Sequence, residues 1–120
     1  MRGRPASLVA RFTSADRDQL RSCSVVLAEL LLGAEGARDA AGEVDRVNRF
    51  VGAYPSLPFD DAGAAVFASL GRRLDAAGER IDGIDLMIVS IAVQHGLTLV
   101  THNARHFARV PGLRWEDWES

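Results

Sequence analysis

Apolar residues follow two patterns along the chain, helical spacing over long stretches and short continuous runs between them. The first pattern predicts helices and the second predicts buried strands. The predicted helices cover Ala6–Phe12, Val25–Gly33, Ala37–Val51, Ala62–Ala77 and Gly83–His95. The predicted strands cover Gln19–Cys23, Leu97–Thr101 and Leu113–Trp118. Because helices alternate with short apolar strands, we expect one α/β domain over residues 1–120 with a parallel sheet.

The clearest local signals lie between residues 80 and 103. Asp82 has the side chain of a helix N-cap, and Gly96 suits the left-handed residue that follows a helix. The apolar run Leu97–Thr101 then predicts a buried parallel strand. Because ligands in open α/β sheets bind at the carboxyl ends of strands, the polar residues around this strand end border a candidate cleft.

Composition excludes several classes of protein. The chain is 48% hydrophobic and 25% charged, and its net charge of -2 gives no overall basic field. All 14 basic residues are Arg, and the one Cys cannot form an intrachain disulfide, which favours a cytoplasmic protein. No apolar run has the length of a membrane span or a signal peptide, so we expect no membrane association.

Glu29 interrupts the predicted apolar helix Val25–Gly33. Its neighbours leave little polar face, and an isolated buried carboxylate is unfavourable unless it meets a cation, a metal or water. Glu29 is therefore either a carboxylate directed into a site or an ordinary helix residue, exposed or paired with an Arg.

Asp85 lies in the first turn of the predicted helix Gly83–His95, where the helix dipole favours a negative charge. The apolar residues that follow it indicate a closely packed helix and point Asp85 towards an edge of the core. The alternative is that Asp85 only stabilises the start of the helix, which is the role we assign to Asp82.

Polar residues follow the strand Leu97–Thr101 directly. Asn103 could support a metal site through its amide oxygen, and Arg105 and His106 could contact phosphate. The alternative is a local capping turn made by Thr101 and Asn103. Carboxylates and amides without a Cys–His cluster favour Mg²⁺ or Mn²⁺ over Zn²⁺, and such cations often serve phosphodiester chemistry.

Two stretches resemble the PIN-domain ribonucleases, as found in VapC-type toxins of bacterial toxin–antitoxin pairs. Val25–Ala34 (VVLAELLLGA) is similar to the second motif of that family, and Ile81–Trp118 contains its later motifs in order. The resemblance implies a three-layer α/β/α fold with a parallel sheet and Mg²⁺- or Mn²⁺-dependent cleavage of RNA. It also implies a VapB-type antitoxin that blocks the acidic cleft, and we expect a homodimer.

The resemblance also implies roles for particular residues. Glu29 and Asp85 match two acidic metal ligands of the family, and Asn103 and His106, neither of them an acid, stand at the positions that match a further acid. We expect Glu29 and Asp85 to hold the metal that activates a water for attack on RNA. The expected RNA contacts are Arg105, His106 and Arg109.

The start of the chain departs from the family pattern. The family's first, central strand ends in an aspartate, and residues 1–5 look like the connector after it, so we expect this strand to be missing. A start site assigned too far downstream and a decayed gene are the two explanations. An alternative function is therefore an inactive domain that only binds an antitoxin or self-associates. A receiver domain or a phosphatase is a third hypothesis, but Glu29 does not suit either.

Overall fold

The structure is a computed structural model that describes residues 11–13, 20–101 and 107–117. The described helices are α1 (Ser24–Glu35), α2 (Ala40–Gly52), α3 (Asp61–Ala76) and α4 (Gly83–His95). The described strands are β1 (Arg11–Thr13), β2 (Leu20–Cys23), β3 (Ser56–Leu57), β4 (Thr98–Val100) and β5 (Arg114–Glu116). The α/β class is confirmed, and the four helices expected after residue 24 begin and end within a few residues of the predicted positions.

These strands form one sheet in the order β3–β2–β1–β4–β5. β2 pairs in parallel with β3, and β4 pairs in parallel with β5. β1 pairs antiparallel with both β2 and β4, so β2 and β4 run in the same direction. Every described strand except β1 therefore follows the predicted parallel arrangement.

The central strand β1 is the main departure from the sequence prediction. A helix was expected over Ala6–Phe12, but Arg11–Thr13 is a strand, with Arg11 opposite Val100 and Thr13 opposite Leu20. Residues 6–10 of that expected helix lie outside the described residues. The strand prevails because it gives hydrogen-bond partners to the inner edges of both β2 and β4, and buried backbone groups require such partners.

The core is built around α4. Ile88, Val89, Ile91 and Ala92 are completely buried there. α4 packs against α3, and α1 packs against α2. None of the helices in the described ranges is both long and apolar enough to cross a membrane.

Helix α1 is less buried than its apolar sequence predicts. Only Val25, Val26 and Ala34 are buried, and Leu32 is 77% exposed. A helix that is apolar on all sides can place only one face against its neighbours, so the sequence does not determine which residues are left outside.

The connections bring the N-termini of α1 and α4 to one edge of the sheet. The connection from β2 to β3 leads away from the central strand β1 to one edge of the sheet. The connection from β3 to β4 then crosses to the other side of β1. Right-handed crossovers place these two helix pairs on opposite faces, in three layers. α1 starts where β2 ends and α4 ends just before β4, so both helices start at the carboxyl edge, where such folds bind ligands.

Candidate active site

Glu29 lies in the second turn of α1 and lines an open groove of about 380 Å³. The other residues that line this groove are Ser24, Val25, Ala28, Leu32, Phe59, Ile84 and Met87. The Oε1 atom of Glu29 is buried and has no hydrogen-bond partner in the part of the chain that the structure describes. A buried carboxylate oxygen without a partner is unfavourable, which supports a ligand-binding role over an ordinary helix position.

Asp85 is in the first turn of α4 and is 7% exposed. Ile84 and Met87, on either side of it in the sequence, line the same groove as Glu29. The cap of α4 explains how the sequence positions this turn. Asp82 Oδ1 accepts a hydrogen bond from the backbone N–H of Ile84 at 2.9 Å, so the predicted cap is confirmed.

The segment before α3 forms one wall of the groove. The Phe59 backbone N–H donates to Ser24 Oγ at 3.3 Å, and the Phe59 ring packs edge to face on Phe67 with 5.9 Å between centroids. The sequence analysis missed Phe59. Its one signal is its place directly before the α3 cap, where an apolar residue often packs on the helix. Ser24 is the first residue of α1, and Cys23 is its N-cap.

Glu29 and Asp85 offer only oxygen atoms, which suit a hard divalent cation. The unpartnered Glu29 oxygen fits the same interpretation, since a bound cation would satisfy it. Within the described ranges, no group of three or more His, Cys, Asp and Glu side chains could hold a metal ion. The expected site residues Asn103, Arg105 and His106 lie outside the described residues, so Glu29 and Asp85 are the expected metal ligands that the structure describes.

Arg109, an expected RNA contact, is bonded to the loop between α3 and α4. Its Nη2 donates to the Arg80 carbonyl oxygen at 3.2 Å, and its Nη1 lies 3.5 Å from Glu79 Oε2. The Arg109 side chain is still 38% exposed, so these bonds leave part of it facing solvent. That Arg109 binds RNA stays a prediction.

Together, the sheet topology and the groove define an α/β protein with two carboxylates, from two helices, near the carboxyl edge of its sheet. The family model for the PIN domain matches residues 1–113. The chain therefore belongs to the PIN-domain family, as its motifs predict. This result decides against the receiver-domain and phosphatase hypotheses.

The chain is similar in sequence to several VapC ribonucleases. The chain is 34% identical to the tRNA(fMet)-specific endonuclease VapC of Shigella flexneri over 118 residues, which cover 98% of this chain and 89% of that protein. It is 30% identical to ribonuclease VapC2 of Haemophilus influenzae over 115 residues, which cover 96% of this chain and 86% of that protein.

Solved structures of VapBC complexes share the fold. DNA-bound VapBC of Salmonella typhimurium matches with a TM-score of 0.78 and 33% identity, over 80% of this chain and 73% of that chain. VapBC2 of Rickettsia felis, bound to a DNA fragment from its promoter, matches with a TM-score of 0.78 and 29% identity. That match covers 82% of this chain and 74% of the other.

Proposed function

We propose that this chain is a VapC-type endoribonuclease toxin that requires Mg²⁺ or Mn²⁺ and is controlled by a VapB-type antitoxin. The observation that carries the proposal is the buried oxygen of Glu29, which has no hydrogen-bond partner among the described residues, in a groove lined by the helix that bears Asp85. The names of the relatives support RNA as the substrate, and the VapBC complexes among its structural neighbours support an antitoxin partner.

In this proposal Glu29 and Asp85 hold the cation through their carboxylate oxygens. The bound cation supplies positive charge that lowers the pKa of a water and stabilises the charge that develops on phosphate. Apolar side chains, among them Phe59 and Met87, line the groove beside Glu29. Asn103 supports the site.

The substrate backbone is held by basic side chains near the end of the chain. Arg105 and His106 contact RNA phosphates. Such contacts supply affinity without reading sequence, so they position the scissile phosphate and do not select the RNA.

Cleavage of RNA by the purified protein tests the proposal. The first substrate is initiator tRNA, because the Shigella relative is named for it, and an unrelated tRNA is the comparison. We expect cleavage with Mg²⁺ or Mn²⁺ and none with EDTA.

Asp85→Asn and Glu29→Gln should each slow cleavage by about 100-fold or more, because a misplaced reacting group costs that much. Glu35→Gln, on the exposed end of α1, should cleave normally. Cleavage by Asp85→Asn at the wild-type rate would contradict the proposal.

A second function, binding without catalysis, is favoured by the exposed apolar side chains of the α1–α2 pair. Leu32 is 77% exposed and Phe50 is 46% exposed. Such side chains can form a contact surface for an antitoxin or for a second copy of the chain. Titration with Mn²⁺ separates the two functions. If Mn²⁺ does not change the melting temperature of a protein that still binds its antitoxin, the result would favour binding without catalysis.

A further inference from the structure

We propose that Arg109 is a positioning residue: it fixes the loop that leads into α4 and thereby sets the place of Asp85 in the site. The inference rests on the ribonuclease function proposed above. It assigns Arg109 a role through the protein itself, in place of the contact with RNA that the sequence analysis expects.

Among the described residues, both hydrogen-bond acceptors of Arg109 lie in the loop between α3 and α4, residues 77–82. Nη2 binds the carbonyl oxygen of Arg80 at 3.2 Å, and Nη1 lies 3.5 Å from the carboxylate of Glu79. Arg80 is also held from the other side, because its Nε donates to Asp75 Oδ1 at 3.1 Å near the end of α3. The loop is therefore tied both to α3 and to the C-terminal segment of the chain.

The backbone that carries Arg109 is itself fixed. Phe107 is completely buried and Val110 is 4% exposed, so buried side chains flank Arg109 in the sequence. The backbone N–H of Val110 donates to the carbonyl oxygen of Phe107 at 3.1 Å, which closes a tight turn around Arg109. The guanidinium group is thus presented to the loop from a fixed point.

The loop transmits this constraint directly to the start of α4. Arg80 is followed by Ile81, which is 7% exposed, and then by the cap Asp82, whose carbonyl oxygen accepts from the Leu86 N–H at 2.9 Å. A shift at the Arg80 carbonyl therefore moves the cap and the first turn. Because distances between a metal and its ligands vary by only about 0.2 Å, a small shift of Asp85 weakens the site.

An RNA contact and a positioning role predict different results. A phosphate contact requires only positive charge, so Lys should replace Arg109 well, whereas the two bonds to the loop need the planar guanidinium group. Loss of a phosphate contact also lowers the slope of RNA affinity against salt by about one. Loss of a positioning residue leaves that slope unchanged.

The test compares Arg109→Ala, Arg109→Lys and Glu79→Gln with the wild type. The control is Arg49→Ala on α2, whose exposed guanidinium pairs with Asp45 at 3.2 Å. The first readout is amide hydrogen exchange in the metal-free protein at Ile84 and Leu86, whose N–H groups bind Asp82. The second readout is kcat, KM and the salt dependence of RNA binding.

We expect exchange at Ile84 and Leu86 to be about 10-fold faster in Arg109→Ala, and less strongly raised in Glu79→Gln. kcat should fall by about 10- to 100-fold with KM and salt slope unchanged, as for residues that orient metal ligands. Arg109→Lys should not restore kcat. The control Arg49→Ala should behave as the wild type. Adding Glu79→Gln to Arg109→Ala should cause little further loss.

Unchanged exchange at Ile84 and Leu86 in Arg109→Ala would overturn the inference. So would rescue by Lys together with a raised KM and a lower salt slope, which would assign Arg109 to RNA binding alone. If the wild type cleaves no RNA, the proposed function fails, and the exchange measurement still decides whether Arg109 fixes the start of α4.

Discussion

The Asp82 carboxylate accepts a hydrogen bond from the Ile84 backbone N–H at 2.9 Å, and this bond begins the helix that carries Asp85. The two acids are three residues apart but lie in different environments. Asp82 is exposed at the cap, whereas Asp85 is 7% exposed in the first turn. The structure therefore distinguishes an exposed carboxylate that caps the helix from a buried one in its first turn.

Asp82→Ala removes the cap of α4 and should lower the free energy of unfolding by about 1 kcal/mol, the usual effect of losing such a residue. Urea denaturation followed by circular dichroism measures this change. Asp82→Asn keeps a capping oxygen and should retain most of the stability. If Asp82→Ala is as stable as the wild type, the bond to Ile84 does not support the helix.

Glu29→Met should stabilise the metal-free protein. Methionine has a similar volume and removes a buried oxygen that has no partner among the described residues. We expect the free energy of unfolding to rise by about 1 kcal/mol in EDTA, because a buried polar group without a partner costs about that much or more. Glu35→Met, at the exposed end of α1, should change it by less than about 0.5 kcal/mol. A clear loss of stability in Glu29→Met would mean that this carboxylate is satisfied in the free protein.

Stability should depend on pH through Asp60, which caps α3. The Gly63 backbone N–H at 2.9 Å and then Gln94 Nε2 at 3.0 Å hold the pKa of Asp60 below its ordinary value of 3.8. Because the folded pKa is the lower one, ionised Asp60 stabilises the protein above pH 3.8. This contribution is lost as the pH falls through the folded pKa.

Asp60→Asn should therefore be less stable than the wild type at pH 6, and the difference should shrink below pH 3.8. Urea denaturation over this pH range measures it. Asp60→Ser keeps a capping oxygen without the charge and should show the same reduced pH dependence. Wild-type pH dependence in both variants would show that Asp60 contributes no linked stability.

Leu32→Glu tests the exposed apolar face of α1. Because Leu32 is 77% exposed, the change should alter the free energy of unfolding by less than about 0.5 kcal/mol. It should weaken binding of a VapB-type antitoxin by about tenfold or more if Leu32 lies within that interface, as measured by calorimetry. Ala68→Glu, exposed on α3, is the control. Equal affinity in wild type and Leu32→Glu would exclude Leu32 from the antitoxin interface.

Helix α4 shows what the sequence could predict. Its cap at Asp82, its bounds Gly83–His95 and the following Gly96 at φ +64° all agree with the prediction. Each signal is local, because the cap bond spans two residues and the left-handed ending requires only a residue that tolerates positive φ.

β1 and Arg109 show what the sequence could not predict. The spacing of Leu8, Val9 and Phe12 favours a helix, but the sheet requires a partner for both β2 and β4, and that requirement comes from distant parts of the chain. The bond from Arg109 to the Arg80 carbonyl likewise joins residues 29 positions apart. The two acids of the candidate site were predicted from local patterns, whereas the groove residue Phe59 and the loop contacts depend on tertiary packing.

Binding of Mn²⁺ to the wild type, Asp85→Asn and Glu29→Gln, measured by isothermal titration calorimetry, tests most directly whether the two carboxylates form one metal site. We predict that the wild type binds Mn²⁺ and that each variant loses about tenfold or more in affinity, while Glu35→Gln binds as the wild type does. Equal Mn²⁺ affinity in the wild type and both site variants would contradict the account.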